Sequence, residues 1–284
     1  MKELRFDTGG GGTNISVGLA RLGLKAAYLG CLGRDDNAET ILRMLKKEKV
    51  DTSLVTRADK MSGYSVILDA KGHDRTILAH KGANNELEFR KINKTKLKQT
   101  KWIYLGSFMA KSFIASEKVA EFAGKNKINV IFNPSSYLCK GGVHHLWKIL
   151  SNTTVLILNL EEAQLLMGRL NINDLLKALM KTGPKIVIIT NGSKGAYAYD
   201  GEYTYFVKPH GVKILETTGA GDSFCTGFLA GYIKKKDIEF ALELAQTEAE
   251  GVITHYGAKN LLLTWKQAND MIMKKPVKVV KKRI

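Results

Sequence analysis

Short apolar runs rich in β-branched residues alternate with stretches whose apolar residues recur every three to four positions. The strand candidates are residues 26–32, 63–68, 102–105, 129–132, 155–158 and 186–190. Helix candidates lie between them at 40–49, 116–125, 161–167, 174–181 and 238–254. The first places Ile41, Leu42, Met44 and Leu45 on one stripe, and the second opens on Ser116 as N-cap. A strand followed by a helix and another strand closes most readily as a right-handed crossover. The expected architecture is therefore α/β, a doubly wound and mostly parallel sheet flanked by helices. A length of 284 residues allows one large α/β domain or two ordinary ones, and an apolar share of 44% supplies its core. No apolar run reaches the roughly 18 residues that a membrane span needs.

One stretch breaks the alternation. Residues 62–80 hold two strand-like segments, 64–68 and 76–80, around the turn 69–74. That is a hairpin inserted into an α/β chain, readable as an edge hairpin or as a small β lid over a site. His73, His80 and Arg75 are its candidate ligand residues.

The formal charge of +17 raises nucleic acid or an anionic surface as partners. Six of the basic residues crowd into the C-terminal tail at 274–284, and the others sit in helix-like, lysine-rich stretches. No aromatic-interleaved motif or recognition-helix pattern accompanies them, so a solvated surface with a basic tail is expected. Cys31, Cys139 and Cys225 are odd in number and far apart, which suits a reducing, cytoplasmic setting and gives no disulfide framework.

Two glycine-rich segments carry the chemistry. Glu216-Thr217-Thr218-Gly219-Ala220-Gly221-Asp222 comes after a short apolar run and opens an apolar helix. Backbone N–H groups and the helix dipole make such a turn an anion hole suited to phosphate. Asp222 would repel a resting phosphate there, so its presence points to chemistry, as acceptor of a hydroxyl proton during phosphoryl transfer. The competing reading is an ordinary N-terminal helix aspartate. The second segment, Gly9-Gly10-Gly11-Gly12-Thr13-Asn14, precedes a helix over 15–22. Four glycines exceed what a turn needs and let backbone approach a ligand, with Asn14 offering both a donor and an acceptor.

Together these segments resemble the ribokinase-like (PfkB-type) carbohydrate kinase family. The first signature corresponds to Gly9 through Asn14 with Arg21-Leu22-Gly23, the second to Glu216 through Asp222. Weaker marks between and after them are Gly82-Ala83-Asn84, Asn159-Leu160-Glu161-Glu162, Thr190 through Gly195, and Gly257-Ala258. The resemblance implies a single kinase domain over 1–284, a lid at about 62–81, and phosphoryl transfer from ATP to a hydroxyl of a sugar, sugar phosphate or nucleoside. It implies Asp222 as general base, with Gly219, Ala220 and Gly221 as the anion hole. Gly10, Gly11 and Asn14 would face the acceptor. Asn159, Thr190, Gly192, Gly195 and Gly221 would line the nucleotide, and Glu162, with Asn159, would organise Mg²⁺ through water. A homodimer joined through the lid is the partner that the family implies.

The chain departs from the family in four places. The eight residues before Gly9 hold neither the strand nor the sugar-binding aspartate that members carry, so the sheet is expected without it. Glu216 replaces an aspartate of the monovalent-cation loop, which leaves K⁺ open. Gly11 stands where ribokinases commonly have lysine, and Gln246 where they have an asparagine near the adenine. Two other classes therefore compete: a catalytically weak sugar- or nucleotide-binding relative, and a nucleic-acid-associated protein.

Overall fold

A computed structural model describes residues 6–68, 76–255, 257, 259 and 262–283. Helix α1 (Gly11–Arg21) leads into strand β1 (Ala27–Leu32), helix α2 (Asp36–Lys47) and strand β2 (Asp51–Arg57). β1 and β2 pair in parallel as a small sheet of their own. The hairpin comes next as β3 (Tyr64–Leu68) and β4 (Thr76–His80), then the short helix α3 (Lys94–Lys98). The alternation read from sequence begins after it: β5 (Trp102–Leu105), α4 (Ala110–Lys125), β6 (Asn129–Phe132), α5 (Ser136–Cys139), α6 (Gly142–Leu150), β7 (Val155–Asn159), α7 (Leu160–Met167), α8 (Ile172–Met180) and β8 (Ile186–Thr190). The chain ends with β9 (Ala196–Tyr199), β10 (Tyr203–Val207), α9 (Ala220–Lys235), α10 (Ile238–Ile253), α11 (Trp265–Lys274) and β11 (Val279–Arg283).

The main sheet runs in the order β11-β10-β9-β8-β7-β6-β5. Strands β5 to β8 are mutually parallel, and β9, β10 and β11 are added antiparallel. Period-two alternation splits each central strand between two cores. Val130, Phe132, Leu156, Leu158, Val187 and Ile189 face the layer that includes α4 and α6 to α8. Ile131, Val155, Ile157, Ile186 and Ile188 face α1, α9 and α10.

Helices α9 and α10 lie unusually close. A Cβ at Gly227 would stand 2.7 Å from Ala245 Cα, and one at Gly231 2.8 Å from Ala241 Cα. Glycines one turn apart thus let the two backbones touch, and every residue from Ser223 to Gly231 is buried.

Several sequence expectations change. Residues 279–283 of the basic tail form the edge strand β11, paired with β10 from Val279↔Val207 to Arg283↔Tyr203. Lysines suit such an edge, and Lys281 Nζ lies 4.4 Å from the Tyr203 ring centre. Helix α1 begins inside the glycine run, not at residue 15, and α4 begins at Ala110. Ser116 is consequently no N-cap: it is buried mid-helix and donates to Phe113 O at 2.7 Å. The hairpin strands are present with all ten positions exposed, while its turn, with His73 and Arg75, lies outside the described residues. No helix among the described residues is long and apolar enough to cross a membrane.

Two outcomes are expected of the α9–α10 layer. Gly227→Ala overpacks the contact and is expected to lower stability by about 1–3 kcal/mol in urea unfolding. Glu248 of α10 is fully buried, and burial pushes its carboxyl up to about 8. A raised acid keeps its proton when folded, so its contribution is complete below about 4.5 and is lost as pH rises to about 8. Thermal unfolding from pH 5 to 9 should therefore show the wild type losing ground to Glu248→Gln across that window.

Candidate active site

The carboxyl ends of parallel strands are where open α/β sheets hold ligands. Here they present a row of polar side chains: Tyr104 on β5, Asn133 just past β6, Asn159 ending β7 and Thr190 ending β8. Asn159 and Thr190 sit side by side in the β7–β8 register. Tyr104 Oη donates to Asn133 Oδ1 at 3.2 Å, and Asn133 Nδ2 to Ile157 O at 2.8 Å.

Helices α1 and α9 bring the two glycine-rich segments to this edge. Gly219 caps α9 in the left-handed region, φ 83°, which a residue with a Cβ rarely adopts. The Ala220 N–H turns back to Thr217 O at 3.3 Å. By helix geometry the N–H groups of Gly221 and Asp222 then have no intrahelical acceptor, whereas the Ala220 N–H is already bonded within the turn. A Cβ at Gly221 would meet nothing within 4 Å, so the turn is open on that side.

Asp222 lies under the start of α1. A Cβ at Gly11 would come within 3.2 Å of Asp222 Oδ1, so glycine there lets the helix start pass directly over the carboxylate. Asn14 Nδ2 donates to Asp222 Oδ2 at 2.8 Å. Asn14 Oδ1 is buried without a hydrogen-bond partner among the described residues. Burial raises the Asp222 carboxyl above the ordinary aspartate value, against the lowering effect of the Asn14 bond. Gly10 is the N-cap of α1, and a Cβ there would meet nothing within 4 Å.

Asn159 and Glu162 form a reciprocal cap at the start of α7: Asn159 Oδ1 accepts from Glu162 N and Glu162 Oε2 from Asn159 N, both at 2.9 Å. Glu162 is buried, its carboxyl raised by burial, and Ser136 Oγ approaches its Oε1 at 3.4 Å. Burial raises Tyr104 and Cys225 too, and the charges of Asp222 and Glu162 add to both. These two side chains therefore lie within electrostatic reach of both carboxylates. Thr190 opens the tight β8–β9 turn, closed by Asn191 N to Gly195 O at 2.8 Å, with Gly192 at its tip.

The hairpin rises from a cinched base. Ser62 is buried, with its N–H and Oγ bound to Asp35 at the β1–α2 turn, and Ala83 N bonds Met61 O at 2.8 Å. His80 is exposed and its ring centre lies 5.3 Å from that of Tyr64.

A family model described as pfkB family carbohydrate kinase matches residues 1–265. The chain belongs to this family. A protein of Archaeoglobus fulgidus named as an uncharacterized sugar kinase is 34% identical over 244 residues, 86% of this chain and 97% of the relative. A 5-dehydro-2-deoxygluconokinase of Clostridium botulinum is 29% identical, covering 94% of this chain and 84% of its own. Among solved structures, a putative ribokinase II from E. coli in complex with ATP and Mg²⁺ superposes with TM-score 0.86 at 19% identity, over 96% of this chain and 92% of that one. This protein is thus a carbohydrate kinase with the ribokinase fold.

Tyr104 and Asn133 stand in no sequence motif, and only the pairing of β5 with β6 brings them together. The cap at α7 has its own measurable weight. Asn159→Ala is expected to destabilise the kinase by about 1 kcal/mol, and Asn159→Asp by much less, in denaturant unfolding.

Proposed function

We propose that this kinase transfers the γ-phosphoryl group of ATP to a hydroxyl of a sugar, sugar phosphate or nucleoside, with Asp222 as general base. The observation that supports the reading is a half-buried carboxylate set at an open helix N-terminus. Its neighbour Asn14 keeps a buried carbonyl oxygen without a partner among the described residues, which is a ready acceptor for a substrate hydroxyl. The acceptor's proton passes to Asp222, its oxygen attacks the γ-phosphorus, and ADP leaves. The anion-hole N–H groups hold charge on the transferring group. A carboxyl raised by burial takes that proton more readily than an ordinary aspartate.

Gly10, Gly11 and Asn14 face the acceptor in this reading, and Asn159, Thr190, Gly192, Gly195 and Gly221 the nucleotide. Among the described residues no three or more His, Cys, Asp or Glu side chains cluster as a metal site. That suits Mg²⁺ carried largely by ATP phosphates and water, with Glu162 the protein carboxylate nearest the role. Bound there, Mg²⁺ would neutralise charge on the phosphates. Glu216 keeps a carboxylate in the cation loop and accepts the Gly257 N–H at 2.8 Å; if the loop takes K⁺ as an activator, activity should be higher in K⁺ than in Na⁺ at equal ionic strength.

The hairpin is the lid, excluding water from the transfer. Both of its faces are apolar, Val66 with Leu78 on one and Ile67 with Ile77 on the other. One face would cover the acceptor and the other a second copy, giving a homodimer through the lid. A cytoplasmic setting fits three free, buried cysteines.

A panel of sugars, sugar phosphates and nucleosides assayed for ADP release identifies the acceptor. With it, Asp222→Asn is expected to cut kcat by on the order of 10²-fold or more while ATP binding persists. Unchanged turnover would remove Asp222 from the role. Glu162→Gln should raise the Mg²⁺ concentration for half-maximal activity, and an unmoved titration would leave Glu162 as a helix cap only.

A further inference from the structure

We propose that His210 and Glu250 are positioning residues that fix the segment feeding the anion hole, an inference that rests on the phosphoryl-binding role of the α9 N-terminus. Between β10 and α9 the chain runs through residues 208–219, much of it exposed. Hydrogen bonds tie this segment to helix α10 and to the turn beyond that helix. Leu215 N and Glu216 N share Ile253 O at 2.9 and 3.3 Å, and Gly257 N reaches Glu216. The tie nearest β10 is made by a side chain. His210 N donates to Glu250 Oε1 at 2.7 Å and His210 Nδ1 to Glu250 Oε2 at 2.8 Å. Backbone and ring together hold one carboxylate with both of its oxygens.

Glu250 is buried, and such a carboxylate is costly unless its oxygens are fully bonded. Gln246 supplies a third bond, Nε2 to Glu250 Oε1 at 3.0 Å. The ring's other nitrogen lies 3.2 Å from Pro276 O, in the segment that enters β11. That segment is itself fastened to α10 by Val277 N and Glu243 Oε1 at 2.9 Å. His210 therefore joins the approach to the anion hole to α10, with its ring set beside the segment that enters β11. Gly211, at φ 73°, turns the chain immediately afterwards. Releasing His210 frees the upstream end of the loop whose downstream end presents the Gly221 and Asp222 N–H groups. A histidine outside every glycine motif thus sets where the transferring phosphoryl group is held.

The test compares wild type, His210→Ala, His210→Asn and Glu250→Gln. The probes are ADP and a non-hydrolysable ATP analogue, read by calorimetric titration with Mg²⁺, beside kcat and thermal midpoint. His210→Ala should lose tenfold or more of the preference for the ATP analogue over ADP, and a like share of kcat, with acceptor KM little changed. Asn places a donor where Nδ1 stood, so His210→Asn should restore the preference to within about threefold. If His210→Ala fails to fold, Glu250→Gln against His210→Asn gives the same comparison. An unchanged preference, or equal loss of both nucleotides in step with the thermal midpoint, overturns the proposal. Absence of wild-type turnover with every acceptor would count against the kinase chemistry alone, since the nucleotide preference still decides the role of His210.

Discussion

The hydrogen bond from Asn14 to Asp222 joins segments 208 residues apart, and the architecture converges on it. It requires α1 and α9 to cross closely, and small residues permit that. A Cβ at Gly18 would stand 2.6 Å from Thr226 Cγ2, and Gly11 leaves room for the carboxylate itself. The far end of α1 is pinned independently. Arg21 forks onto Glu48 at 2.9 and 2.6 Å and reaches the carbonyls of Lys259 and Leu262, each at 3.2 Å. Bidentate geometry of this kind fixes direction as well as distance. The helix that carries the first glycine run is thus anchored at one end so that it presents its other end to Asp222.

The same layer carries three carboxylates shielded from solvent to different degrees. Asp222, Glu248 and Glu250 all belong to α9 and α10, the helices with the closest backbone approach. Each carboxylate is handled differently. Asp222 is held by an amide, Glu250 has both oxygens bonded, and Glu248 keeps an oxygen without a hydrogen-bond partner among the described residues. Raised carboxyls and structural clamping are therefore built from one slab of helix, and a change that loosens the slab acts on both.

How much was legible in the sequence depended on how local the signal was. Residues 102–105, 129–132 and 186–190 match β5, β6 and β8 to the residue, because buried parallel strands are continuous β-branched runs. β9 and β10 escaped notice, as alternating alanine, tyrosine and threonine read weakly when half the strand faces solvent. β11 was hidden by its charge, which is what an exposed edge strand carries. The glycine segments were legible as turns that open helices, which is how α1 and α9 begin, because a glycine turn entering a helix is a local signal. Tyr104, Asn133 and His210 were not legible. Each acquires its meaning from residues far away in sequence, through register or through a carboxylate on another helix.

The central claim is that burial at the α1–α9 crossing makes Asp222 a stronger base than an ordinary aspartate, moderated by Asn14. Titration of the Asp222 carboxyl by carbon NMR, in the wild type and in Asn14→Ala, tests it directly. The account predicts a wild-type pKa above the ordinary aspartate value and a further rise when the Asn14 donor is removed. A wild-type pKa at or below the ordinary value, or one indifferent to Asn14, would contradict it.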